Sequence, residues 1–433
     1  MNSQKILESE GTKPRFFYGY IVVLVGFFAI AIIQGTLNTF GVFFKPLLAD
    51  FGWTRATTSG AFSLAMIFNG LLAIVMGRLT DRYGPRIVLT LCGFFLGSGY
   101  MLMSRITAIW QLYLFYGVII GTGMGGSFVP LISIVVRWFV KRRSMMTGIV
   151  SAGIGAGTLI IPPMASRLIT IYHWRTAYIL LGITALILVV LAAQFLKRDP
   201  TQMGQVPYGQ DELEAKTVGS GTQLFAPNEV IWGRQLLLAC TMYLCVGFCH
   251  FGIMVHIVAH ATEFNISATS AANILAIIGV LSIAGKVVMG IAADRIGNRP
   301  AIVIGFVLMA LALFWLMAAR VLWTLCVFAA VFGFAYGDCA ALTSPMLAEL
   351  FGISSHGLIL GTASFAFSIG SAIGPLLFGY IFDMSGSYQM AFLIAAAVSI
   401  AGVILTSHLD PTRSTRGTMY LSNNGISVHK PGK

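Results

Sequence analysis

Charge is what this chain has least of. Asp, Glu, Lys and Arg make up 10% of its 433 residues, against 57% hydrophobic, and the mean hydropathy is +0.85. A soluble domain of this length needs a polar shell, so the shortage excludes that class and leaves an integral membrane protein. Strict alternation of apolar and polar residues is also missing. The apolar residues come in long runs, which argues for helices rather than a membrane barrel. The six cysteines all fall inside apolar runs, and Cys245 and Cys249 have no ligand set around them. We read them as buried small residues and expect no disulfide and no metal. There is no catalytic triad, zinc spacing or nucleotide loop, so neither an enzyme nor a cofactor is expected. The glycines at 121, 123, 125, 126, 153, 155 and 157 follow no strand, and close helix packing accounts for them. Acid is scarcer than base, 15 residues against 27. In a membrane chain that excess belongs to loops facing anionic lipid rather than to nucleic acid.

Twelve apolar segments are present, at 17–44, 56–78, 86–105, 110–136, 143–169, 175–196, 233–260, 270–292, 299–318, 322–349, 355–383 and 388–408. Each is long enough to cross about 30 Å of hydrocarbon as a helix. The expected fold is all-α, with twelve transmembrane helices in two six-helix bundles, 17–196 and 233–408. Residues 1–16 read as a tail with no signal-peptide cleavage site, 197–232 as a polar linker, and 409–433 as a second tail. With the N-terminus inside, only Lys45, Arg55, Arg105, Arg167, Arg175 and Arg320 among the 27 basic residues lie outside, and Lys286 lies within a helix. That asymmetry predicts cytoplasmic termini in a cell inner (plasma) membrane.

One charged stretch occurs twice. Gly77, Asp81, Arg82, Gly84 and Arg86 recur as Gly290, Asp294, Arg295, Gly297 and Arg299 at a constant offset, 290 − 77 = 213. Both read as a short loop between apolar runs. The same offset links Thr54 to Ser267, two candidate N-caps, as well as Gly148 to Gly361 and Pro162 to Pro375. Two parallel six-helix repeats describe an alternating-access carrier, with the repeated loops as its conformational latch.

The Gly-x-x-x-Asp-Arg-x-Gly-x-Arg stretch resembles the best-known motif of the major facilitator superfamily. Within that family, Trp138-Phe139-Val140-Lys141-Arg142-Arg143 with Gly148, Ala152-Gly153 and Gly157 is similar to the helix-5 signature of monocarboxylate transporters. Phe17-Tyr18-Gly19-Tyr20 is similar to their other signature, without its leading acid. His256, His260 and Glu263 resemble residues of bacterial relatives and of oxalate:formate antiporters. Those carriers have an arginine on helix 8, where this chain has Lys286. They also carry a second base on helix 11, but residues 355–383 contain none, which argues against a dianion exchanger.

Lys286 is the candidate carboxylate site, because a cation in mid-helix costs about 2.5–3.5 kcal/mol in hydrocarbon even on lenient scales. Asp338 stands at the same depth on helix 10 and could pair with it, titrating as the proton site. His256 and His260, one turn apart, are further proton-coupling candidates. Tyr116, where the related carriers have a substrate-facing tyrosine, and Asn38 and Asn69 complete the expected substrate contacts. The expectation is a monomeric, proton-coupled symporter of a lactate-like organic anion. The alternatives are an efflux carrier for amphiphiles and, from another class, a transporter-fold sensor.

Overall fold

The computed structural model describes residues 17–139, 142–209, 233–351 and 356–409. Among them there is no strand, and eleven helical stretches are long and apolar enough to cross a membrane. One of these, Met145–Gln194, has 50 residues. At 1.5 Å per residue it would be about 75 Å long, more than twice the hydrocarbon thickness. It is two passes joined at His173, whose φ of 72° and ψ of 153° are not helical. The passes are α1 (Gly19–Phe51), α2 (Arg55–Tyr83), α3 (Pro85–Met103), α4 (Ile109–Val135), α5 (143–172) and α6 (174–194). After the linker come α7 (Arg234–Glu263), α8 (Ala268–Ile296), α9 (Asn298–Ala318), α10 (Leu322–Phe351), α11 (His356–Ser385) and α12 (Gln389–Ser407).

Local chemistry sets the ends alike in both halves. The Thr54 side chain accepts from the Thr57 N–H at the start of α2, and Ser267 accepts from Ser270 N–H at the start of α8. The repeated charged stretch is not a loop as expected. Gly77 to Tyr83 and Gly290 to Ile296 continue α2 and α8, and the break falls on a single glycine in each copy. Gly84 has φ 86°, ψ 163° and Gly297 has φ 89°, ψ 157°, a conformation open almost only to glycine. Charge had suggested a loop, but charged residues are good helix formers wherever water reaches them.

α1 breaks after Leu37. The hydroxyls of Thr36 and Thr39 take helix carbonyls at Ile32, Ile33 and Thr36, a competition that bends helices. In α4 the stretch Tyr113–Ile120 is wound as π-helix, an irregularity frequent at functional positions. The first part of the linker is packed rather than free. Tyr208 N–H bonds the Trp138 carbonyl at 3.0 Å, and Tyr18 N–H bonds Gln205 Oε1 at 3.1 Å.

The halves meet along α2–α11, α5–α8 and α1–α7, and small residues let the backbones approach. A Cβ at Gly155 of α5 would lie 2.6 Å from the Gly279 carbonyl oxygen of α8.

Candidate functional site

The α5–α8 contact positions Lys286. On α8, Gly279, Ile283 and Lys286 share one face at helical spacing. They meet Thr158, Gly155 and Ser151 of α5 in antiparallel register. Lys286 Nζ donates to the Ser151 carbonyl at 3.3 Å. It forms no ion pair among the described residues, so the ammonium is half-buried at the seam with a neutral partner.

Asp338 is not brought to it. The carboxyl is fully buried and lies against Gly305 of α9, and neither oxygen has a hydrogen-bond partner among the described residues. Equal depth fixed the height but not the direction. Tyr336, two residues earlier and so about 200° around the helix, stacks on His250 of α7 at 3.5 Å. Asp338 therefore faces the other side. His250 of α7 lies within electrostatic range of Lys286 and is buried, its Nδ1 without a hydrogen-bond partner among the described residues. Sequence reading passed over His250 and Tyr336, since a lone His and Tyr in apolar helices carry no spacing signal.

Tyr116 is buried in the first half. Its ring packs 4.5 Å from Phe40, and its hydroxyl donates to the Leu37 carbonyl at 3.4 Å, an oxygen left free by the break in α1. Asn38 donates to Thr158 Oγ1 at 2.7 Å, tying the break in α1 to α5 beside the seam, while its Oδ1 has no partner. Asn69 is half-exposed on α2.

A second cluster gathers at the end of the bundle where α2 starts. Arg55 reaches from the first half into the second. Its Nη2 donates to Glu263 Oε1 at 2.6 Å, its Nη1 donates to the Tyr388 hydroxyl, and its guanidinium lies 3.4 Å from the Phe382 ring centre. The two Asp383 carboxylate oxygens accept from the N–H groups of Arg55 and Ala56 at 2.9 and 2.7 Å. An acid of α11 thus caps the helix terminus of α2, where its charge is favoured. Lys45 adds a bond to Thr262 at 3.0 Å. Behind this cluster His256 has Nδ1 3.0 Å from the Tyr388 hydroxyl, and Nε2 2.9 Å from the Pro375 carbonyl and 3.2 Å from Ser59 Oγ. His260 is boxed by Phe264, Tyr388 and Phe392, with both ring nitrogens unpartnered among the described residues. It lines a cavity of about 230 Å³ together with Glu263 and Arg320. One sequence signal marked Arg55: its repeat counterpart at 268 − 55 = 213 is Ala268, so the cation departs from the internal symmetry.

Of the expected latch, the side chains of Asp81 and Asp294 lie outside the described residues, as do Val140 and Lys141 of the helix-5 motif. Arg82 stands 5.3 Å from the Tyr83 ring, and Arg299 donates to the Ser407 carbonyl.

The chain is 28% identical over 387 residues to monocarboxylate transporter 13 of Rattus norvegicus, covering 89% of this chain and 87% of that one. It is 27% identical over 385 residues to monocarboxylate transporter 4 of Gallus gallus, at 87% and 80% coverage. A fungal protein of an Ophiocordyceps species, named MFS-type transporter 1, is 27% identical over 394 residues, at 90% and 84% coverage. The family model described as Major Facilitator Superfamily matches residues 23–279 and again 240–419. The second match begins just after the junction between the two bundles, and together the two span nearly every helix described above. This chain is a membrane transporter belonging to the Major Facilitator Superfamily.

Proposed function

We propose that the chain is a proton-coupled symporter of a small monocarboxylate, lactate-like in size, working by alternating access between its two halves. The observation that carries the reading is Lys286. It is a membrane-embedded ammonium at the seam of the halves whose partner is a backbone carbonyl of the opposite half. A substrate carboxylate offers that ammonium a charge-assisted bond roughly twice as strong as a neutral one. Taking it releases Ser151, so binding loosens one contact between the halves. His250 and Tyr336 form the neighbouring wall in the second half.

The relatives named as monocarboxylate transporters support the substrate class. The asymmetry of basic residues supports cytoplasmic termini, with the Arg55 end on the outer face. On that assignment the Arg55 cluster joins the halves at the outer face, and the carrier stands with that side closed. The proton site is proposed at His256, which links both halves at this closed end, with His260 beside it. Asp338, turned toward α9, is assigned no role in coupling.

The test is uptake of labelled monocarboxylates into proteoliposomes with an imposed pH gradient. Wild type should accumulate substrate only when the gradient is present. Lys286→Ala should lose uptake by at least tenfold, and Lys286→Arg should keep part of it because a guanidinium binds carboxylate bidentately. Normal uptake by Lys286→Ala would overturn the site, and gradient-independent accumulation would overturn the coupling.

A further inference from the structure

The bonds around His256 have a single consistent set of directions. Pro375 offers a carbonyl, which only accepts, so Nε2 carries a proton toward it. Ser59 Oγ donates to the Arg55 carbonyl at 2.7 Å, so toward Nε2 it too accepts. In a neutral ring Nδ1 is then bare, and it accepts from the Tyr388 hydroxyl. With its proton so placed, the Tyr388 oxygen is free to accept from Arg55. The chain Arg55 to Tyr388 to His256 to Pro375 runs in one direction, crosses between the halves, and closes only with a neutral His256.

We propose that His256 is a proton-operated release for the closed end of the carrier: a proton on Nδ1 reverses its bond to Tyr388, strands the phenol proton and weakens the hold on Arg55. The added cation would also face Arg55 within the same cluster. The closed end therefore excludes the proton, and by linkage the open end binds it more tightly. This rests on the alternating-access reading above and gives it a direction. Acid on the Arg55 side opens that side, and closing it expels the proton from His256.

The other charged or titratable groups around His256 are Arg55 from α2, Asp383 from α11, Tyr388 before α12, and His260 and Glu263 from its own helix. From α1 it meets the Phe44 ring at 4.9 Å, with Lys45 next in sequence. Glu263 is the rival, since a proton there would also weaken the hold on Arg55.

Spin labels at Trp110 of α4 and Met390 of α12, both exposed at this end and in different halves, report its width. The distance is measured in lipid nanodiscs without substrate, on the full chain with native cysteines replaced, at about pH 8 and about pH 5, values that bracket histidine. In an otherwise wild-type chain, the long-distance population should grow as pH falls. His256→Gln, whose amide can accept from Tyr388 and donate to Pro375, should stay closed at both values. Tyr388→Phe should give one distribution at both values, because the link is cut, and Glu263→Gln should keep the shift. An unchanged wild-type distance, or a full shift surviving in His256→Gln, would overturn the proposal. Loss of the shift in Glu263→Gln with its survival in His256→Gln would reassign the proton. The measurement needs no substrate, so failure of monocarboxylate uptake and failure here are separate results.

Discussion

Lys286 and Asp338 show how differently two ionisable side chains inside helices can be housed. The ammonium has a partner that a substrate can replace. The carboxyl of Asp338 has none among the described residues and lies against Gly305. Burying an unpartnered polar group costs about 1–3 kcal/mol, and a carboxyl that stays neutral avoids the larger penalty of a buried charge. We expect Asp338→Asn to fold normally and to keep uptake fully dependent on the pH gradient. Asp338→Leu should raise the melting temperature in detergent, because it removes the unpartnered group. Uptake that lost its pH dependence in Asp338→Asn would return coupling to this residue. The sequence made both ions legible, since each interrupts an apolar run, and it gave their depth. It could not give their azimuth, which depends on which face of α10 meets α7 and which meets α9. The partner of the Tyr116 hydroxyl was not legible for a similar reason. The break in α1 that claims its hydroxyl arises from Thr36 and Thr39, whose competition for carbonyls leaves no pattern in composition.

At the scale of elements, the repeat was the most readable feature, and its geometry is the same in both copies. Gly84 and Gly297 hold matching left-handed conformations between consecutive helices. An L-residue there is strained by about 1–3 kcal/mol. Gly84→Ala and Gly297→Ala should each lower thermal stability by that order, with similar losses in the two halves. Equal melting curves for wild type and both variants would contradict this. The α5–α8 contact is tighter still, because a Cβ on Gly155 would approach the Gly279 carbonyl oxygen to 2.6 Å. Neither helix backbone can yield locally, so Gly155→Ala should push the helices apart and weaken the Lys286–Ser151 bond. Crosslinking yield between paired cysteines along α5 and α8 should fall relative to wild type, whereas Gly148→Ala, with open space around its α carbon, should leave it unchanged. Boundaries were less legible than repeats. Charged residues at the ends of α2 and α8 had the composition of a loop but the conformation of a helix.

For the whole molecule, the residues proposed to carry function lie where the internal symmetry fails. Arg55, His256 and Lys286 have apolar counterparts in the other half, Ala268, Phe43 and Ala73, each 213 residues away (268 − 55, 256 − 43, 286 − 73). Symmetric positions build two similar bundles, and the asymmetric ones hold the bundles against each other. Arg55 contributes to that hold at its end through Glu263, Tyr388 and Phe382, while its backbone N–H is held by Asp383. A charge-assisted bond contributes about 1.5–3 kcal/mol, which is roughly 10- to 100-fold in a two-state equilibrium. Arg55→Ala should therefore shift the empty carrier toward the state open at this end by about that factor. It should slow transport more than it weakens carboxylate binding, because Lys286 is untouched and lies near the opposite end of α8. Glu263→Arg alone should open the same end, since two cations would face each other. Joining it with Arg55→Glu should restore part of the closed population, because the pair is rebuilt with its charges exchanged. The Trp110–Met390 distance in these three variants decides the matter: if the exchanged pair is as open as Arg55→Ala, the contact is incidental and closure rests on packing alone.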